Sequence, residues 1–364
     1  MASRRKSSPK PEQPADAIVF TNGLLDTIFA KTCHGLLRGS ERFRVLAVID
    51  SKFAGKDAGE ILDGRPRNVP VFASVEAFLA QATRRPEYLV VGVAFPGGYL
   101  PDSCRGEILA AMRHGMSVVC GLHHLLSDDP EFARVAHEQG VQLIDIRKPR
   151  PTRELHFWSG EIYSVRAPRI AVLGTDCAVG KRTTCRLLMQ ACNAAGIKTE
   201  MIYTGQTGWM QGYPYGFILD ATPNDFVSGE LERVIVQCDR EAQPDLILIE
   251  GQSSLRNPSG PCGSELLLSA DAKGVVLQHA PLRAFFADLE ELGCRLPAVP
   301  DEIRLIQMYG AKVLAVTLSD EGGDEEALRT YQRSLQREVP VPVIRPLREG
   351  VAALVPVVRE FLAS

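Results

Sequence analysis

The stretch Arg169-Ile-Ala-Val-Leu-Gly-Thr-Asp-Cys-Ala-Val-Gly-Lys-Arg-Thr-Thr184 decides the fold. An apolar strand, Arg169–Leu173, runs into a loop that opens on Gly174 and closes on Gly180. A helix follows from Lys181 to about Ala195, with Gly196 placed to end it as the C′ residue. Strand, glycine loop, Gly-Lys and Thr-Thr in that order form the context of a phosphate-binding loop. Gly174 and Gly180 let the backbone curl so that successive N–H groups face inward, a nest for an anion at a helix N-terminus. Lys181 would reach terminal phosphate oxygens as a point charge, and Thr183 or Thr184 would offer a hydroxyl to Mg²⁺. The expected ligand-holding residues are therefore Gly174, Thr175, Asp176, Cys177, Ala178, Val179, Gly180, Lys181, Arg182, Thr183 and Thr184. The spacing departs from G-x-x-x-x-G-K-[ST], because five residues separate the glycines and Arg182 precedes the threonines. The loop alone does not name the owner of the phosphates: ATP, GTP and the 3′-phospho-ADP part of coenzyme A all present them.

Outward from the loop, short β-branched runs alternate with helix-length amphipathic stretches. Strands are expected at Thr199–Thr204, Asp245–Glu250, Gly274–Gln278, Lys312–Thr317 and Val341–Ile344, with helices at Asp225–Arg240 and Asp324–Gln336. A second alternating series precedes the loop: strands Arg44–Ile49, Tyr88–Val93, Ser117–Cys120 and Gln142–Ile146, and helices Ser74–Ala82 and Arg105–His114, with Ser74 as an N-cap. Alternation of this kind implies parallel sheets covered on both faces. The expected fold is α/β with two domains, a Rossmann-like parallel sheet over 16–155 followed by a P-loop NTPase-like parallel sheet over 156–364. The active site is expected in the crevice between them. Residues 1–15 hold three prolines and three serines and read as a disordered tail.

Composition narrows the function classes. The 364 residues carry 41 Lys+Arg against 44 Asp+Glu, a net charge of −3, which argues against a general nucleic-acid binder. Hydrophobic content of 45% suits a chain with a sizeable core. The nine cysteines show no C-x-x-C spacing, so reduced thiols in the cytoplasm are expected rather than a disulfide framework or zinc ribbon. No apolar run approaches the ~20 residues of a membrane helix, so no membrane partner is expected. A small-molecule substrate is the expected partner, and a homo-oligomer stays open because α/β enzymes of this size are frequently symmetric.

Other residues carry candidate chemistry. Glu250 ends an apolar strand, where a carboxylate in a P-loop fold holds Mg²⁺ or serves as general base. Asp176, inside an anion-seeking loop, would position Mg²⁺ or a substrate amine. Thr204, Gln206 and Thr207 close the second strand with neutral hydrogen-bonding groups, and Arg256 is a candidate clamp on a substrate carboxylate. Trp209 reads as a lid or a packed ring, and His279 as an acid–base group or a turn residue. Cys177 lies at a helix N-terminus, where a thiol gains nucleophilicity, but reads better as a small packing residue. Asp50 follows a strand as ribose-binding acids do, yet no G-x-G-x-x-G precedes it. The pair His123-His124 lacks the spacing of helical metal ligands.

Gly174–Thr184 resembles the loop of dethiobiotin synthetase, which uses ATP. More closely, it resembles the GTDC-x-VGK-x-TT loop of the family named for D-glutamate N-acetyltransferase. Thr204-Gly-Gln-Thr-Gly-Trp-Met210, Glu250-Gly-Gln-Ser-Ser-Leu255 and Pro342-Val-Ile-Arg-Pro-Leu-Arg-Glu-Gly350 are similar to further segments of that family. So are Val48-Ile-Asp-Ser51 with Gly55, Pro96-Gly-Gly98 and Asp145-Ile-Arg-Lys-Pro149. Ser253 stands where the family has glycine, Arg256-Asn257 replaces a His-Pro-like continuation, and Thr317-Leu-Ser-Asp320 lacks an Asn-Thr ending. The resemblance implies transfer of an acetyl group from acetyl-CoA to the amino group of D-glutamate or a related acidic amino acid. Lys181, Glu250 and Asp176 would be the catalytic groups, and Thr204, Gln206, Thr207, Gln252, Ser253 and Arg256 would face the substrate. The rival expectation is an ATP-dependent carboxylate ligase or kinase, with Thr183 and Glu250 on Mg²⁺ when nucleotide is bound. A third is a non-catalytic nucleotide-gated switch.

Overall fold

A computed structural model describes residues 13–320 and 324–364, so residues 1–12 of the expected tail lie outside it. By packing, the chain forms two units. One runs up to Arg150 and includes Gln206–Pro214; the other is Pro151–Gly205 with Tyr215–Ser364. Sequence order alone assigns Gln206–Pro214 to the second domain.

The first unit is a six-stranded parallel sheet of β1 (Ala15–Phe20), β2 (Phe43–Ile49), β3 (Val71–Phe72), β4 (Tyr88–Val91), β5 (Ser117–Cys120) and β6 (Leu143–Asp145). The order β3-β2-β1-β4-β5-β6 is that of a Rossmann fold. Strand β1 sits between β2 and β4 with Ala17, Ile18 and Val19 fully buried, yet the sequence reading begins the sheet at Arg44. Its apolar run is only Ala17–Phe20 and adjoins a proline-rich segment, too short to show a period, and Ala15 of the expected tail already belongs to it. The Ser74 hydroxyl accepts from the Ala77 amide at 3.1 Å, as an N-cap should.

The helix Gln206–Gln211 belongs to this unit through its own side chains. Met210 is fully buried in the first core, and the Arg42 guanidinium lies 4.0 Å over the Trp209 ring. Gln211 Nε2 donates to the Gly35 and Gly39 carbonyls at 2.9 Å each. Trp209 is thus a packed ring. Asp50 is a structural carboxylate: it accepts from Thr21 Oγ1 at 2.6 Å and from the Leu25 and Lys52 amides at 3.1 Å.

The second unit contributes β7 (Arg169–Gly174), β8 (Thr199–Tyr203), β9 (Tyr215–Gly216), β10 (Leu246–Glu250), β11 (Gly274–His279), β12 (Lys312–Leu318) and β13 (Val343–Ile344). They form one parallel sheet in the order β13-β12-β11-β7-β10-β8-β9. The glycine-loop strand β7 is flanked by β11 and β10, with Gly174 opposite Gln278 and Val172 opposite Glu250. That register brings the loop, Glu250 and His279 to one end of three neighbouring strands, the carboxyl end where open α/β sheets bind ligands. Helices Val299–Met308 and Leu354–Leu362 escape the sequence reading; each presents its apolar residues to the core, with Ile306 and Val358 buried.

Close approach of β10 to β7 requires Gly251. Its amide donates to the Val172 carbonyl at 3.1 Å, and a Cβ there would run into that oxygen and meet Lys181 Cδ at 3.2 Å. Gly251→Ala is therefore expected to cost about 1–3 kcal/mol in urea unfolding; an unchanged midpoint would show that the two strands part freely.

Candidate active site

The loop between β7 and the helix Lys181–Ala194 is built as a nest. Ala178 and Gly180 have φ of +55° and +103°, the left-handed values that anion nests use, and the helix has neither a side-chain cap nor an acidic residue in its first turn. An uncapped N-terminus of this kind presents N–H groups and the positive end of the helix dipole to an anion.

Lys181 is buried, at 7% exposure, and its Nζ donates to the Asp176 carbonyl at 2.6 Å and the Ser253 carbonyl at 2.7 Å. Burial pushes its pKa down, against the pull of neighbouring acidic groups that include Asp176 and Glu250. Its stem runs past Gly174, where a Cβ would meet Lys181 Cδ at 2.9 Å. Ser253, whose carbonyl accepts from Lys181, has φ of +37°, a left-handed conformation that favours glycine. The serine nonetheless keeps that geometry, and its Oγ accepts from the Cys177 thiol at 3.5 Å.

Glu250 is 5% exposed, and its Oε2 accepts from the Thr204 amide at 3.2 Å. Burial raises its pKa, opposed by the Arg182 charge, the Thr204 and Gly205 amides and Lys181. Thr204 Oγ1 donates to the Glu250 carbonyl at 2.8 Å and accepts from Gln252 Nε2 at 3.0 Å. Lys181, Glu250, Thr204, Gln252 and Ser253 are thus brought together. This cluster can hold an anion and, at Glu250, take a proton.

Four expected roles change on this geometry. Asp176 is fully buried and saturated: Oδ1 accepts from Asn257 Nδ2 at 3.0 Å and the Cys177 amide at 2.7 Å, and Oδ2 from Arg283 Nη1 at 2.6 Å and the Ala287 amide at 2.8 Å. A carboxylate paired with arginine and three further donors is a tie point for the loop, not a base. Thr184 donates to Gln278 Oε1 at 2.6 Å and is therefore engaged within the sheet, while Thr183, one position earlier, is half-buried. Arg256 donates through Nε to Glu302, itself 1% exposed, so its guanidinium answers a buried charge. Gln206 and Thr207 face the first unit, where Gln206 Oε1 accepts from Arg147 at 3.0 Å and the Thr207 hydroxyl lies 3.1 Å from that of Thr32.

Arg283, Asn257 and Gln278 were missed because they sit in polar loops or at a strand end without any local pattern. His279 is a brace: Nδ1 lies 2.9 Å from Thr175 Oγ1, Nε2 lies 2.8 Å from the Tyr331 hydroxyl, and the rings stack at 5.6 Å. Burial, with the nearby Arg283 charge, lowers its pKa to about 4. Among the described residues, no three or more His, Cys, Asp or Glu are grouped to hold a metal ion. Nor does any described helix have the length and apolarity to cross a membrane.

Fold and loop together define a two-domain α/β protein, with a Rossmann-like sheet followed by a P-loop sheet. Residues 156–355 match the P-loop domain of DUF1611, and residues 51–149 match its Rossmann-like N-terminal domain, both described as domains of unknown function. The chain belongs to the DUF1611 family. A D-glutamate N-acetyltransferase of Tritonibacter scottomollicae is 29% identical over 278 residues, 73% of this chain and 79% of the relative. A protein of the same name from a Pseudoalteromonas species is 30% identical over 278 residues, with the same coverage. The resemblance drawn from the loop and its companion segments is borne out. A crystal structure of a DUF1611 family protein from Anabaena variabilis has a TM-score of 0.85 at 29% identity, covering 95% of this chain and 99% of that one.

His279 gives the site a signature in stability. A histidine held neutral in the fold and free to charge when unfolded contributes stability above its ordinary pKa of ~6.5. That contribution is lost as pH falls toward about 4. Urea unfolding should therefore show the advantage of wild type over His279→Gln shrinking from pH 7 to pH 4; a constant difference would mean that the histidine titrates normally.

Proposed function

We propose that this chain is an acyltransferase that moves the acetyl group of acetyl-CoA to the amino group of D-glutamate or a related acidic amino acid. The observation that carries the reading is the buried Glu250 carboxylate, its pKa raised by burial, beside a lysine-bearing phosphate nest. The two curated relatives of that name, near 30% identity, supply the substrate class. The nest amides and Lys181 hold the phosphates of coenzyme A, with Lys181 leaving the Asp176 and Ser253 carbonyls for phosphate oxygens. Thr204 and Gln252 orient the amino acid next to Glu250.

Glu250 takes one proton from the substrate ammonium, which frees the nitrogen lone pair. The nitrogen attacks the thioester carbonyl carbon, and backbone N–H groups other than those on the phosphates steady the oxyanion. As the C–S bond breaks, the thiolate leaves with the second nitrogen proton, and Glu250 returns the first to water. A carboxylate with a raised pKa suits this work because its proton affinity lies nearer neutral pH.

The test presents the protein with D- or L-glutamate under acetyl-CoA alone or under ATP with Mg²⁺, following free thiol and ADP in parallel. Thiol release that requires D-glutamate without nucleotide is the expected result. ADP release without thiol would move the chain to the ligase or kinase class, with Thr183 and Glu250 on Mg²⁺. Nucleotide binding without turnover would make it a switch.

Two variants add detail. Glu250→Gln should lower kcat/KM by about 10²–10⁴-fold and remove an acid limb lying above the ordinary ~4.3 of glutamate. Activity depends on the ionised carboxylate, so the wild-type rate falls as pH drops through that pKa. Lys181→Ala should abolish coenzyme A binding in calorimetry while far-UV dichroism keeps its wild-type form; retained affinity would remove the loop from the phosphate site.

A further inference from the structure

A loop built to attract phosphate here contains a carboxylate of its own. Asp176 belongs to the loop itself, two residues before the left-handed Ala178; it is fully buried, and its backbone carbonyl accepts from Lys181 Nζ at 2.6 Å. The acid therefore stands one residue's width from the ammonium assigned to the ligand. In a low-dielectric interior, an uncompensated carboxylate there would repel every incoming phosphate oxygen. It would also sit buried without a countercharge, which folded proteins rarely tolerate.

Arg283 cancels it. Its Nη1 donates to Asp176 Oδ2 at 2.6 Å and to the Cys177 carbonyl at 2.8 Å, and its side chain is only 12% exposed. One guanidinium nitrogen therefore holds both the loop's carboxylate and the backbone that follows it. The acid has a use of its own, because Asp176 ties three segments together. They are the loop itself through the Cys177 amide, the segment after β10 through Asn257, and the segment after β11 through Arg283 and Ala287. Alanine at this position would remove the tie and leave the Arg283 charge unanswered. The loop is thus a brace with a charge that has to be neutralised, and Arg283 is placed to do so.

Resting on the phosphate-loop reading above, we propose that Arg283 makes this loop an anion site by neutralising Asp176. It is a positioning residue, acting through Asp176 and the Cys177 carbonyl. The inference predicts a charge dependence that a purely steric brace lacks. Removing the cation alone hurts ligand binding, and removing the anion as well restores it.

The experiment is calorimetric titration of coenzyme A, with MgADP as a parallel arm, into wild type, Arg283→Gln, Arg283→Lys and the double variant Asp176→Asn/Arg283→Gln. Thermal unfolding identifies the variants that are folded at the titration temperature. Wild type should bind at least one of the two ligands. Arg283→Gln should weaken that binding at least tenfold, while Arg283→Lys, which keeps the charge, and the double variant, which removes both charges, should stay within about threefold of wild type. If Arg283→Gln is unfolded, the folded Lys and double variants still decide. Near-wild-type affinity in the double variant supports neutralisation, and loss in both overturns it. Wild-type affinity in a folded Arg283→Gln also overturns it. A wild type that binds neither ligand overturns the phosphate-loop reading and this inference with it, so the two failures are distinct.

Discussion

The second unit is organised around keeping one ammonium group out of water. Lys181 sits at the first position of a helix with its stem passing Gly174 and Gly251, two residues without a Cβ, and its charge resting on two peptide carbonyls. Two neutral acceptors do not replace the hydration of an ammonium, and burial accordingly lowers its pKa. A charge held this way is poised for a better partner. Phosphate oxygens reaching the nest would supply it; until then the left-handed Ser253 provides one of the two carbonyls that accept from the amine.

Around that lysine the acidic groups divide by environment. Asp176, in the loop after β7, and Glu250, the last residue of β10, are both buried carboxylates at one end of the sheet, but Asp176 faces an arginine, an amide side chain and two backbone N–H groups. Glu250 accepts from a backbone amide and feels Lys181 and Arg182 at longer range, so burial prevails and its proton affinity rises. Two carboxylates with opposite surroundings acquire different duties: one holds the loop, and the other is suited to move a proton. Glu302 resembles Glu250 in this respect, because burial raises its pKa although the Arg256 guanidinium reaches it.

Much of the fold was legible because strand, glycine loop and helix follow one another without interruption at 169–195, and because the remaining strands are β-branched runs with near-correct bounds. Strand β1 was not, since four apolar residues beside a proline-rich segment show no period, and only pairing with β2 and β4 makes them a strand. The site was legible where chemistry is local. Lys181, Glu250, Thr204, Gln252 and Ser253 converge as their positions at strand ends require. It was illegible where a side chain's partner lies far along the chain. Nothing near Asp176 announces Arg283, nothing near Arg256 announces Glu302, and the packing of Met210 and Trp209 that takes Gln206 and Thr207 into the first unit involves residues near 30–42.

The central claim is that the loop at 174–184 holds the phosphates of an acyl-CoA through Lys181. Its most direct test is a crystal structure of the chain with coenzyme A. The account predicts a phosphate within hydrogen-bond distance of Lys181 Nζ and of the loop amides, with the amine withdrawn from the Asp176 and Ser253 carbonyls. Coenzyme A bound elsewhere, with Lys181 still on those two carbonyls, would contradict it.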